Sequence, residues 1–237
     1  MALSFLLWLP RIGAGGLFWQ DKTMNKTHVA LALALSALCL PFALTGCGGG
    51  GGGSSTPSPA AATFTPNYVA SVTPYHWPAL PVRVYFANDL TVTPKGGMAT
   101  RLNTLYQTGF DRWPAATNGV VSYQVVTDPA QAQITVSTVT VPDPAGQAET
   151  GLTTVAHTGS VLTAATVQIF VWPDITPAQL TQGQVATATH EFGHALGIGG
   201  HSPVSTDEMF ALHAPDQDVL LSPRDVNTIK TIYAPLF

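Results

Sequence analysis

The chain has 237 residues, of which 9% are charged, and a formal net charge of −4. That length allows one domain with a sizeable core plus a tail, and the lack of any basic block gives a nucleic-acid partner no electrostatic support. The two cysteines, Cys39 and Cys47, both lie near the N-terminus, so everything after Cys47 folds without a disulfide.

Residues 24–47 carry Lys26 and then an apolar run from Val29 to Leu44, broken only by Ser36 and Pro41. A short positive start before such a run is the pattern of a secretory signal, and the run is short for a spanning helix, which needs about 20 apolar residues. Its ending, Leu44-Thr45-Gly46-Cys47, resembles the lipobox of bacterial lipoproteins. The resemblance implies that residues 24–46 are a lipoprotein signal peptide and that Cys47 is lipidated. The protein would then be exported and anchored to a bacterial membrane. An ordinary cleaved signal and an uncleaved anchor are the alternatives. Residues 1–23 fit no part of this pattern and read as an upstream extension, with translation starting at Met24. Residues 47–63 continue from the cysteine through six glycines and SSTPSPAAAT. This composition makes a flexible tether, and a coil of about 17 residues spans roughly 20–25 Å. After Cys47 the chain has 6 basic residues (9 less Arg11, Lys22 and Lys26) and 12 acidic ones (13 less Asp21). That balance of −6 leaves the anchoring to lipid rather than to charge.

The folded domain is expected over residues 64–237. Pro81 to Phe86 alternates and is rich in β-branched and aromatic residues, which predicts a strand. Met98 to Trp113 places Met98, Leu102, Leu105, Tyr106, Phe110 and Trp113 at helical spacing, with Pro114 as the stop. Val120–Val126 and Ala132–Val141 read as strands around a turn at Asp128-Pro129, as do Leu152–Ala156 and Thr166–Trp172. Thr176-Pro177 opens a helix expected to run to Leu196, since threonine caps and proline suits the first turn. A last helix begins at Ser222-Pro223 and carries Val226, Ile229, Ile232 and Tyr233 on one face. This order predicts an α+β domain with one mixed sheet.

Within the long helix stands His190-Glu191-Phe192-Gly193-His194, followed by Gly197 and His201. Histidines four apart share a helix face, so both imidazoles can converge on one ion. Glu191 lies one step round. It is poorly placed to ligate with both histidines but can reach a water on the metal. Gly197 can take φ > 0, end the helix and turn the chain so that a third histidine approaches. Three ligands would leave a fourth position open, as a catalytic zinc site requires.

This run is similar to the metzincin zinc metallopeptidases, and to the matrixin-like bacterial proteins among them. Their pattern is HExxHxxGxxH followed by a methionine turn, and His190, Glu191, His194 and Gly197 match it position by position. Met209, in Asp207-Glu208-Met209-Phe210, resembles the methionine of that turn, which packs beneath the zinc without ligating it. Leu221 to Tyr233 resembles the closing helix, and Trp113 and Asp128 to Val136 resemble the upper subdomain more weakly. The resemblance implies a metzincin-like zincin fold, with a mixed twisted β-sheet, a long active-site helix and a C-terminal helix. It also implies one Zn2+ on His190, His194 and His201, with Glu191 as catalytic base and Gly197 and Met209 supporting the site.

Two departures stand out. His201 arrives one residue late, an insertion that Gly199-Gly200 can absorb, and Asp207 and His213 are the other candidates for third ligand. After Met209 the chain has Phe210-Ala211 where matrixins carry tyrosine and proline. That segment walls the pocket for the residue after the cleaved bond, so specificity does not carry over. His76, His157 and His213 read as surface or satisfied histidines, and His157 alone makes no structural zinc site. Asp207, Glu208, Asp216 and Asp218 read as solvated loop charges, and calcium has no loop signature to support it. No cysteine is placed to plug the zinc from a propeptide. The expected function is a zinc endopeptidase, monomeric, acting on protein or peptide substrates. A hydrolase of cell-wall peptides and a catalytically idle zinc-binding surface protein are the alternatives, and the intact Glu191 argues against the last.

Overall fold

A computed structural model describes residues 63–141 and 150–237. The signal, Cys47 and most of the tether lie outside those residues, as does the upstream extension.

In chain order the strands and helices begin with β1 (Thr73–Pro74), β2 (Val82–Phe86), β3 (Thr91–Val92) and β4 (Thr100–Arg101). Next come α1 (Leu102–Phe110), α2 (Arg112–Ala116), β5 (Tyr123–Val125), β6 (Ile134–Thr140), β7 (Gly151–Thr158) and β8 (Val161–Val171). The series ends with α3 (Gln184–Leu196), β9 (Ile198–Gly199) and α4 (Pro223–Ile232). Five strands form one sheet in the order β5-β2-β6-β8-β7. All neighbours run parallel except β7, which pairs antiparallel with β8. The fold is therefore α+β around a mixed sheet.

Alternation explains which face is inside. Val82 and Val84 of β2, Ile134 and Val136 of β6, and Val167 and Ile169 of β8 are all fully or almost fully buried. A period of two places each set on one side of the sheet. Helices α1 and α2 connect β2 to the parallel β5, a connection that no tight turn could make. Phe110 of α1 stacks on Phe192 of α3 at 4.0 Å between ring centroids and 4° between planes, so the aromatic centre of the core ties the two helices. Residues β7 and β8 form a hairpin closed by Gly159-Ser160, where Gly159 has φ +59.

The first helix differs from its sequence reading. It starts at Leu102 rather than Met98, whose side chain is 86% exposed. Thr100–Arg101 instead pairs with Thr91–Val92, because a turn in which the Gly97 amide donates to the Pro94 carbonyl brings the chain back. Pro114 does not end a helix either. It is the third residue of α2, where a missing amide hydrogen costs no helical bond. The strands expected at Leu152–Ala156 and Thr166–Trp172 are longer, and that at Val120–Val126 is shorter. Two additional two-stranded pairs, β1-β9 and β3-β4, join the single sheet that was expected.

The helix expected from Thr176 to Leu196 runs without a gap from Pro177, but not as a regular α-helix throughout. Thr176 Oγ1 accepts from the Gln179 amide at 3.2 Å, and Gln179 Oε1 accepts from the Thr176 amide at 3.0 Å, a reciprocal capping box. A π-helical stretch, Gln179–Gly183, then precedes α3. Such stretches widen a helix locally and often adjoin functional sites.

Candidate metal centre

Every residue of α3 except His194 is buried, and His190 and His194 project from one face of it. The helix stops at Gly197, which has φ +119. An L side chain is strained there, and a Cβ would also collide with the Tyr75 carbonyl oxygen. The Gly197 carbonyl in turn accepts from the Tyr75 amide at 2.8 Å. Ile198–Gly199 then pairs with Thr73–Pro74, and Gly200 at φ +127 turns His201 back towards the helix.

The three imidazoles form a near-regular triangle. Ring centroids lie 4.8 Å apart for His190 and His194, 5.2 Å for His190 and His201, and 5.0 Å for His194 and His201. One nitrogen from each lies within 4.8 Å of the others, a group able to hold a metal ion. His190 Nδ1 is 2.8 Å from the Glu208 carbonyl, and His194 Nδ1 is 2.7 Å from the Ile198 carbonyl. Carbonyls only accept, so each Nδ1 carries a proton, and the ring turns its Nε2 towards the other histidines. Those two Nε2 atoms face each other at 3.1 Å. Histidines oriented by main-chain carbonyls in this way are the usual setting of a zinc site.

Electrostatics favour the ligating form. Burial, and then the neighbouring His194, hold His190 well below the ordinary histidine range. The same two causes lower His201 to about 3. Neutral imidazoles are what a metal binds.

Met209 is fully buried beneath the helix. Gly193, between the two helical histidines, leaves room for it: a Cβ there would collide with the Met209 sulfur and stand 2.7 Å from Trp113. The Trp113 indole N–H donates to the Thr189 carbonyl at 2.9 Å, fixing α2 to the turn that carries His190.

Two acidic residues depart from the sequence reading. Asp207 and Glu208 are buried, not solvated, whereas Asp216 and Asp218 are exposed. Asp207 accepts from Ser222 Oγ at 2.7 Å, from Arg224 Nε at 2.9 Å and from Ser202 Oγ. It therefore clamps the residue after His201 to the start of α4. His213 Nε2 lies 3.1 Å from the Glu208 carbonyl. Neither belongs to the group of convergent nitrogens, so His201 is the third member.

Asp225 was missed as a site residue. Its carboxylate accepts from the Glu208 amide at 2.9 Å, the Ser222 amide at 2.8 Å and Tyr68 Oη at 2.6 Å. It thus ties the turn before Met209 to α4 and to the start of the domain. The Ser222-Pro223-Arg224-Asp225 capping pattern was visible in the sequence, but the turn it also holds was not.

The sequence model of the family described as Matrixin matches residues 93–234. The chain belongs to the matrixin family. A search among curated proteins returns no match. The matched segment of this matrixin contains the three histidines, Glu191 and Met209. It is accordingly a zinc metallopeptidase in the general sense, with a histidine triad that could hold the metal.

Proposed function

We propose that this matrixin is a zinc endopeptidase in which His190, His194 and His201 hold one zinc and Glu191 is the general base. The convergence of three imidazoles at the helix that also carries the buried Glu191 supports this reading. When bound, zinc supplies a Lewis acid that polarises the scissile carbonyl and makes an attacking water more acidic. Glu191 takes the proton of that water and returns it to the departing amine. Gly197 aims His201, and Met209 supports the ring of ligands from below. Substrates are protein or peptide chains.

We further propose an address outside the cytoplasm, with the domain held at a bacterial membrane by lipid on Cys47 and the tether of residues 47–63. The lipobox-like Leu44-Thr45-Gly46-Cys47 supports it. The function is tested by incubating the purified zinc-loaded protein with a peptide library and with unfolded proteins. Cleavage within the chains is expected, lost with a chelator and restored by zinc. Cleavage confined to cell-wall peptides would reassign the substrate, and chelator-resistant cleavage would sink the zinc mechanism.

A further inference from the structure

Glu191 is 2% exposed, and its carboxylate rests against β7. Thr153 Oγ1 lies 2.6 Å from Glu191 Oε2 and 3.0 Å from the Glu191 main-chain oxygen. A hydroxyl has one proton to donate, and the charged oxygen at the shorter distance is the stronger acceptor. Threonine is stiff at χ1, so the strand backbone sets where that hydroxyl points. Gly151 precedes Thr153 by two residues and shares its face of the strand. A Cβ at Gly151 would stand 2.7 Å from both Cγ and Oε1 of Glu191. The carboxylate thus lies over a bare position of the strand, with one oxygen held by the next residue on that face.

A second contact repeats the arrangement one helical turn away. Thr150 Oγ1 and Thr187 Oγ1 are 3.0 Å apart. Thr187 and Glu191 are four apart on α3, so both contacts fall on one face of the helix. The strand itself is fixed by β8, with Gly151 opposite Ile169 and Thr153 opposite Val167. Strand register is therefore transmitted to the carboxylate through Thr153.

We infer that Thr153 is a positioning residue for the general base. By holding Oε2 it fixes the plane of the Glu191 carboxylate and so the direction from which the base meets the attacking water. This inference rests on the peptidase reading of Glu191. Misplacing a catalytic group by about 1 Å can cost about 100-fold in rate, which sets the scale expected from losing the hydroxyl.

The test compares zinc-loaded wild-type protein with Thr153→Val and Thr153→Ser. Valine keeps the shape and removes the hydroxyl, and serine restores the hydroxyl without the methyl. The valine variant should keep its zinc and a KM within about twofold, while kcat falls about 10- to 100-fold. Serine should recover most of that loss. A second readout needs no turnover: the chain has only three glutamates, Glu149, Glu191 and Glu208, so their carboxyl carbons can be resolved by NMR with 13C-labelled glutamate. The Glu191 signal, identified by its disappearance in Glu191→Gln, should shift in the valine variant and return in the serine variant. An unmoved signal, a kcat within about twofold of wild type for valine, or zinc loss without rescue by serine would each overturn the inference. A protein that cuts nothing would overturn the peptidase reading, while the glutamate signal would still decide whether Thr153 holds the carboxylate.

Discussion

Glu208 precedes Met209 and is fully buried, and among the described residues neither of its carboxylate oxygens has a hydrogen-bond partner. Burial pushes its carboxyl well above the usual carboxylate range, the charge of Asp225 adds to this, and Arg112 opposes it. The useful group at this position is the backbone carbonyl, which accepts from His190. The side chain contributes a desolvation penalty that no hydrogen bond among the described residues offsets. Glu208→Leu keeps the carbonyl and removes the orphan acid, so the zinc-loaded variant should be about 1–3 kcal/mol more stable in denaturant melts. A less stable variant would mean that the carboxyl has a partner. The sequence did not disclose this burial, because an Asp-Glu pair in a loop reads as solvated charge. The Asp207 contacts to Ser202, Ser222 and Arg224, and the Asp225 carboxylate on the Glu208 amide, pull the turn inward.

Among the elements, the end of α3 carries the most consequence. His190 and His194 follow from helical spacing alone, whereas His201 depends on how the chain leaves the helix. The one-residue delay is absorbed by two positive-φ glycines, Gly197 and Gly200, with the short β1-β9 pairing between them. That pairing joins residues more than a hundred positions apart in sequence, so no local pattern could announce it. Gly197→Ala forces a side chain into φ +119 against the Tyr75 carbonyl. Strain of that kind costs about 1–3 kcal/mol, and the displaced turn should also weaken zinc retention in a competition assay with a chelator. Wild-type retention would show that His201 does not depend on this turn. The helix starts were legible from capping residues at Thr176 and Ser222. The π stretch was not, since nothing in Gln179–Gly183 distinguishes it from an ordinary helical turn.

For the whole molecule, the matrixin match and the mixed sheet agree with the α+β reading. Strand-like composition located every strand of the main sheet, although β8 begins at Val161 rather than Thr166. Helical spacing failed at Met98, where a hairpin contact between β3 and β4 displaced the helix start. The sheet's role in the site was equally hidden: β7 brings Gly151 and Thr153 to Glu191 only through its pairing with β8. Glu191 is a helix residue braced by a strand, next in sequence to a triad assembled from helix and loop. The most direct measurement is peptide cleavage and zinc content of Glu191→Gln beside wild type. Removing the base while leaving the ligands should keep one zinc per chain and lower kcat by about 100- to 10,000-fold. Turnover equal to wild type at full zinc content would remove Glu191 from the chemistry and contradict the account.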